Sequence, residues 1–237
     1  MNLLPLPLPD ADLAFDREWM PRAQADALLA TLAAALPWQV QRLRLFGREV
    51  DSPRLSCWIG DPGASYAYSG TRFQPRPWPA ALLPVRARLR ADLGIDFNSV
   101  LANLYRDGRD CMGWHRDDEA ELGPRPAIAS LSLGATRRFV LKQRHGAGPK
   151  LALPLSHGSL LLMRGETQGH YRHAVPRTTR AVHSSRPSWK AWIESMIGVT
   201  ESCREISPGV GWPAAASARP GASATDAPSV IPRERRI

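Results

Sequence analysis

From Ser99 to Ala174 the sequence falls into short apolar segments, each too brief for an ordinary helix, with turn residues between them. Ser99–Tyr105, Ile128–Leu133, Arg138–Lys142, Ser159–Met163 and Tyr171–Ala174 read as strands, and Asp107-Gly108 and His157-Gly158 read as turns. A chain built this way has few options. Many short strands with frequent turns close on one another as a sandwich or barrel.

The upstream part has a different texture. Pro21–Leu36 is rich in Ala and Leu and stops before Pro37, which predicts a helix. Val40–Val50 alternates apolar and charged residues and predicts a strand. Arg54–Tyr68 reads as strand, turn, strand about Gly60-Asp61-Pro62-Gly63, and Pro79–Leu93 as a second helix closed by Gly94. Helices before strands predict an α+β fold: a double-stranded β-helix (jelly-roll) core with flanking N-terminal helices. The expected domain covers residues 1–200. Residues 201–237 are rich in Pro, Ala, Ser and Gly without a helical or strand period, and are expected to be a disordered tail. There is no internal repeat.

Composition narrows the setting. The 237 residues carry a net charge of +9, with pI near 10.3, and Arg outnumbers Lys. Such a balance suits a polyanionic partner, because the planar guanidinium matches phosphate oxygens, and it equally suits a solvated Arg-rich surface. The three cysteines, Cys57, Cys111 and Cys203, form neither a CxxC pair nor an even-numbered framework. That speaks for a reducing compartment and against structural zinc. The first sixteen residues lack a basic n-region and are broken by prolines, and no apolar run reaches the ~20 residues of a membrane helix. A cytoplasmic protein without a membrane segment is expected.

The chemistry points to one stretch, Gly113-Trp114-His115-Arg116-Asp117-Asp118-Glu119. In extended backbone, residues two apart project the same way, so His115 and Asp117 can reach one ion. His173, in a later predicted strand, can supply a third ligand. Two imidazoles and one carboxylate with open positions suit non-haem iron(II). The pair alone is weak evidence, since a lone His–Asp pair is more often a surface hydrogen bond. His145, His157, His170 and His183 are competing ligands, read here as loop, surface or supporting residues. For Trp114 core packing is expected.

Several motifs in order make the pattern specific. Asn103-Leu104-Tyr105, Met112–Glu119, the run from Ala129 to Phe139, and His173-Ala174-Val175-Pro176 resemble the AlkB family of iron(II)- and 2-oxoglutarate-dependent dioxygenases. Pro53-Arg54-Leu55, Gly60-Asp61 and Tyr66–Gly70 are similar to that family's base-recognition segment. The likeness runs from about residue 40 to 182 and is strongest to the nucleic-acid repair branch. It implies a base-recognition segment over about 40–75 and a jelly-roll core over about 98–185.

The resemblance also implies roles. His115, Asp117 and His173 would be the catalytic metal ligands. Asn103 and Tyr105 would bind 2-oxoglutarate. Tyr68, with Tyr66 nearby, would stack on a flipped base, Asp118 and Glu119 would lie near the base edge, and Arg54 would touch a backbone phosphate. Iron(II), 2-oxoglutarate and O2 would be needed, and the reaction would be oxidative demethylation of N-alkylated bases such as 1-methyladenine and 3-methylcytosine. Formaldehyde, succinate and CO2 would be released. The partner would be nucleic acid, DNA before RNA, and the protein a monomer.

Each role has a physical basis. A base inside a duplex must be extruded before chemistry can reach it, and stacking offsets part of that cost. Carboxylates favour a cationic methylated base by Coulomb attraction. The plainer readings are strand packing for Tyr66 and Tyr68, a solvated loop for Asp118 and Glu119, core for Tyr105 and a turn for Asn103.

One part of the pattern departs from the family. A strand like R-I-N-L-T-F-R is expected, with an Arg twelve residues after the last His, pairing the far carboxylate of 2-oxoglutarate, and another six beyond. Here those positions hold Ser185 and Ala191, and Pro187–Trp192 is unlike the expected strand. Three explanations fit. A one-residue bulge would bring Arg186 into place; Arg177 or Arg180 would substitute; or the chain diverges after about Val182, as a shifted reading frame would produce. A lost strand would also expose a sheet edge. The alternative functions are therefore a nucleic-acid-binding relative with impaired turnover, and an oxygenase acting on RNA or another substrate.

Overall fold

The computed structural model describes residues 1–178, apart from 46–47, 65, 69–70 and 147, together with the backbone of 192–198. In chain order the elements are β1 (Leu4–Pro5), β2 (Asp12–Asp16), α1 (Arg22–Ala35), β3 (Gln39–Leu45), β4 (Arg48–Gly60), β5 (Tyr66–Tyr68), β6 (Thr71–Phe73), α2 (Leu83–Leu93), β7 (Ser99–Tyr105), β8 (Met112–His115), β9 (Ile128–Gly134), β10 (Arg137–Gln143), β11 (Lys150–Leu155), β12 (Ser159–Arg164), α3 (Thr167–His170), β13 (Tyr171–Val175) and β14 (Trp192–Gly198).

The strands form an eight-stranded sheet, β1-β2-β12-β9-β14-β7-β4-β3, a four-stranded sheet, β11-β10-β13-β8, and the hairpin β5-β6. Strand parity builds three layers from these. In β12, Leu160 and Leu162 pack with α1 residues Ala25, Leu28, Leu29 and Leu32. The intervening Leu161 and Met163 pack instead with Phe139, Leu141 and Tyr171 of the small sheet. Alternation thus divides one strand between two cores. Helix α1 buries positions spaced by three and four, as an amphipathic helix must. It ends where Leu36 turns extended before Pro37. Helix α2 ends at Gly94, whose φ of 69° is left-handed and whose N–H caps Arg90 O at 2.9 Å. At the His157-Gly158 turn, Gly158 donates to Ser132 O at 2.7 Å and accepts from Met20 N at 2.9 Å. Its φ of +79°, with Met20 O pressed where a Cβ would stand, requires glycine.

The jelly-roll expectation agrees with this arrangement; two local readings change, and Asp12–Asp16, β8 and β11 are strands that the sequence reading did not include. Val40–Val50 is not one strand: β3 and β4 form a hairpin joined at 46–47, and β4 runs on for 13 residues to Gly60. The N-terminal residues Asp12–Asp16, which lack alternation, form a strand because β12 offers an edge. The C-terminal strand exists, later than expected and with a different sequence. Trp192–Gly198 lies between β9 and β7, with Glu194 opposite both Asn103 and Ser132. The sheet edge is therefore filled by backbone pairing, which asks little of side-chain identity. Residues 201–237, read as a tail, lie outside the described residues.

Candidate metal centre and co-substrate pocket

Two strands of the small sheet bring the metal ligands together. His115 closes β8 and stands directly opposite His173 on β13. Leu141 on β10 is the other neighbour of His173, and Phe139 stacks on its ring with centroids 5.2 Å apart. Asp117 lies two residues past His115, in the loop after β8. Its backbone N–H donates to Oε1 of buried Gln168 at 3.0 Å, which anchors the loop against α3.

The three side chains converge. His173 Nε2 lies 3.3 Å from Asp117 Oδ2, His115 Nε2 lies 3.7 Å from Asp117 Oδ1, and the two rings are 4.1 Å apart edge to face. One donor atom from each falls within 4.8 Å of the others. His115 Nδ1 is 2.8 Å from Gly113 O, so the proton belongs on Nδ1 and the Nε2 lone pair faces the site.

Electrostatics hold the ligands in their coordinating forms. Burial, reinforced by repulsion from His173, pushes the His115 imidazole down to about 3, so it is neutral. Burial would raise the Asp117 carboxyl, but attraction from His173, His115 and Arg54 outweighs it and holds Asp117 below the usual range. His115 Nε2, His173 Nε2 and Asp117 Oδ2 are all buried and have no hydrogen-bond partner outside the trio, His173 Nε2 and Asp117 Oδ2 standing 3.3 Å apart. Buried polar atoms are rarely left so, and three converging on one point fit a bound cation. Two imidazoles and a carboxylate are the donor set of non-haem iron(II).

The large sheet holds a second group of buried polar side chains. Asn103 on β7 is fully buried, and its Oδ1 accepts from Arg54 Nε at 2.8 Å and Ser56 Oγ at 3.0 Å. These donors orient the amide and leave Nδ2 buried with no partner. Tyr105, two residues on, is buried with its hydroxyl 3.9 Å from Met112 Sδ.

Comparison with known proteins agrees with this geometry. The family model described as 2OG-Fe(II) oxygenase superfamily matches residues 12–204. Rat alpha-ketoglutarate-dependent dioxygenase alkB homolog 3 is 39% identical over 166 residues, covering 65% of this chain and 55% of its own. Human DNA oxidative demethylase ALKBH2 is 38% identical over 165 residues, covering 65% and 63%. The mouse ALKBH2 protein is 36% identical over 171 residues, covering 68% of this chain and 72% of its own. This chain belongs to the AlkB branch of the 2OG-Fe(II) oxygenase superfamily. It spans a little over half of the rat relative's length and just under two thirds of the human one's. The solved structure of OsALKBH1 superposes with a TM-score of 0.51 at 16% identity, covering 78% of this chain and 96% of that one, and shares the fold.

Other expected site residues of this AlkB-type chain fall in varied places. Arg54, expected at a phosphate, is only 6% exposed and turned inward. It shares the inner face of β4 with Ser56, so parity directs it to Asn103 and away from any surface phosphate. Trp114, expected in the core, is 44% exposed, since an inward His115 turns its neighbour outward. Asp118 is exposed and ion-paired with Arg116, and Glu119 is half-buried at the start of a short helical turn. Tyr66 and Tyr68 sit on β5 of the β5-β6 hairpin, and their side chains lie outside the described residues, as do Arg186, Arg180 and His183. Of the competing histidines, His145 and His170 are exposed, and His157 Nδ1 accepts from Gly134 N at 2.7 Å. Sequence reasoning missed Gln168 and Phe139, because neither residue type announces a supporting role without the fold.

Proposed function

We propose that the chain is an oxidative demethylase of N-alkylated nucleic-acid bases, acting on DNA before RNA, on lesions of the 1-methyladenine and 3-methylcytosine type. The observation that carries the reading is the convergence of three ligand atoms, from His115, Asp117 and His173, on one buried point. When bound there, iron(II) with 2-oxoglutarate and O2 supplies hydroxylation of the N-methyl carbon; formaldehyde then leaves, with succinate and CO2 as the co-products. The protein does the rest. His115 presents Nε2 because Gly113 O holds its Nδ1 proton. Gln168 fixes the backbone at Asp117. Asn103, whose Nδ2 is left free by the donors on its Oδ1, is assigned to co-substrate oxygens, as is Tyr105. Tyr66, Tyr68, Asp118 and Glu119 are assigned to the flipped base.

A nucleic-acid partner is supported by the outer face of the small sheet. Lys142 Nζ lies 4.1 Å over the exposed Trp114 ring, and Arg138, Lys150 and Arg172 are exposed on the same sheet. Strands β8, β10, β11 and β13 contain no Asp or Glu. A basic face with one open aromatic suits a phosphate backbone. The names of the ALKBH2 relatives favour DNA.

The test is aerobic incubation of the iron-loaded protein with 2-oxoglutarate and oligonucleotides bearing 1-methyladenine or 3-methylcytosine, read by nucleoside chromatography. Loss of the methylated nucleoside, absent in His173→Ala, is expected. Turnover of 2-oxoglutarate without base repair would transfer the activity to RNA or another substrate. A second reading, binding with impaired turnover, is favoured by β14, whose residues Trp-Ile-Glu-Ser-Met-Ile-Gly include no cation. Nucleic-acid binding without succinate release would establish it.

A further inference from the structure

We infer that Arg86 is a positioning residue for the flipped base: it clamps both ends of the β5-β6 hairpin to helix α2, through Asp61 where the chain enters and Trp78 where it returns, and so fixes where Tyr66 and Tyr68 stand. This rests on the assignment of those tyrosines to the base proposed above.

The hairpin needs support from outside itself. Each of its strands is three residues long, and it pairs with no other strand among the described residues. An isolated two-stranded hairpin is marginally stable in water. This one is an excursion of the chain between β4 and α2, so its orientation is set where the chain leaves β4 and where it comes back.

Both ends meet at one root. Arg76 N donates to Trp58 O at 3.0 Å, and Gly60 N donates to Arg76 O at 2.9 Å, which lays the returning chain beside the end of β4. Asp61 N donates to Asn98 O at 2.8 Å, and a Cβ on Gly60 would stand 3.1 Å from the same oxygen, so the root sits directly on the residue before β7. These backbone bonds fix the place of the root. They do not fix the direction in which the hairpin leaves it, because φ and ψ beyond Asp61 remain soft.

Side chains supply that direction. Trp78 Nε1 donates to Asp61 Oδ1 at 2.8 Å and ties the return to the entry. Arg86 grips the same carboxylate with both terminal nitrogens, Nη1 to Oδ1 at 2.7 Å and Nη2 to Oδ2 at 2.9 Å. Its guanidinium also lies 4.8 Å from the centroid of the Trp78 ring. A two-pronged pair sets a plane, and a planar cation stacks on an indole, so one side chain holds both ends at a defined angle. The support beneath is firm: Val85, beside Arg86 on α2, is buried, and Trp78 packs against the same core cluster.

The test is fluorescence anisotropy with the full chain, loaded with iron(II) and 2-oxoglutarate under anaerobic conditions. Two single-stranded DNA oligonucleotides are compared, one with a single 1-methyladenine and one abasic at that position. Arg86→Gln is expected to reduce the preference for the methylated strand by at least about fivefold, the low end for losing one base stack. Affinity for the abasic strand should match the parent. Asp61→Asn, which keeps an acceptor for Trp78 but breaks the ion pair, serves if the Arg86 variant does not fold, with the same expectation. In a chain already carrying Tyr66→Ala and Tyr68→Ala, the Arg86 substitution should have no further effect. A parental preference in Arg86→Gln overturns the inference. Equal losses for both strands, or a full loss that persists without the two tyrosines, overturn it in favour of general structural support. A parent that does not prefer the methylated strand, or that keeps its preference without the tyrosines, removes the base reading itself and this inference with it, an outcome distinct from an Arg86 variant that behaves as the parent does.

Discussion

The two sheets, whose side chains share an apolar core, have different characters. The small sheet brings its parts together through complementary requirements. His115 and His173 are directly opposite each other, Phe139 supports one ring, and Gln168 secures the Asp117 loop. The large sheet offers a buried amide and a buried arginine that donates to it, beside a strand without cations. Metal ligation needs three donors at one point, and any change of residue type removes a donor. Sheet continuity needs only backbone N–H and C=O groups, so β14 completes the large sheet with an unexpected sequence. The contrast is between a cluster that depends on residue type and a sheet that depends on backbone pairing.

The contrast can be broken most forcefully at the metal. His173→Ala should lower iron affinity by more than the ~10–100-fold typical of supporting residues and abolish demethylation, while the far-ultraviolet circular dichroism is retained. Iron retained at parental stoichiometry would show that the three ligand atoms do not act as one site.

A smaller effect is expected one step away from the ion. Gln168→Leu removes the acceptor for Asp117 N–H and leaves a buried donor unmet, a cost of ~1–3 kcal/mol. Metal affinity should fall ~10-fold with 2-oxoglutarate affinity at saturating metal unchanged, as equilibrium dialysis and calorimetry would show. A loss confined to 2-oxoglutarate would assign Gln168 to the co-substrate instead.

The outer face of the small sheet sharpens the comparison in a third way. Lys142→Ala should weaken single-stranded DNA binding modestly and reduce the salt slope by about one, whatever the base sequence. Trp114→Ala should cost ~1–3 kcal/mol if a base stacks there. Fluorescence anisotropy over a range of salt concentrations would reveal either, and parental affinity and slope in both variants would place the nucleic acid elsewhere.

The smallest effect concerns acid stability on the large-sheet side. The hydrogen bond from Arg86 holds the Asp61 carboxyl below its usual range, at N–O distances of 2.7 and 2.9 Å. A carboxyl lowered in the folded state stabilises the protein above its ordinary pKa, and that contribution fades as pH falls through the lowered value. The Tm gap between the parent and Asp61→Asn should therefore shrink as pH falls below the ordinary carboxylate range. A gap independent of pH would assign Asp61 a purely hydrogen-bonding role, since Trp78 Nε1 also donates to it at 2.8 Å.

Strands β7, β9, β10, β12 and β13 were legible because their apolar runs are short and turns between them carry glycine, whose left-handed φ at Gly158 is a local necessity; β8 and β11, less apolar, were not read. The spacing of His115 and Asp117 was legible because strand parity is local. The β3-β4 hairpin was not, since its partners are decided by pairing and not by the alternation of either strand alone. Trp114 and Arg54 were misplaced for one reason: parity says that neighbours face opposite ways, but not which way is in.

By itself, the sequence determined the class of fold, the trio of ligands, and the basic charge that suits a polyanion, because residue type and local period carry that information. Only tertiary structure decided that Asn103 keeps its Nδ2 free, that Gln168 anchors the Asp117 loop, that β14 fills the gap between β7 and β9, and that Arg54 points inward onto Asn103. Those outcomes depend on which strands become neighbours, and pairing across the sheet is a choice that no short stretch of chain can make alone.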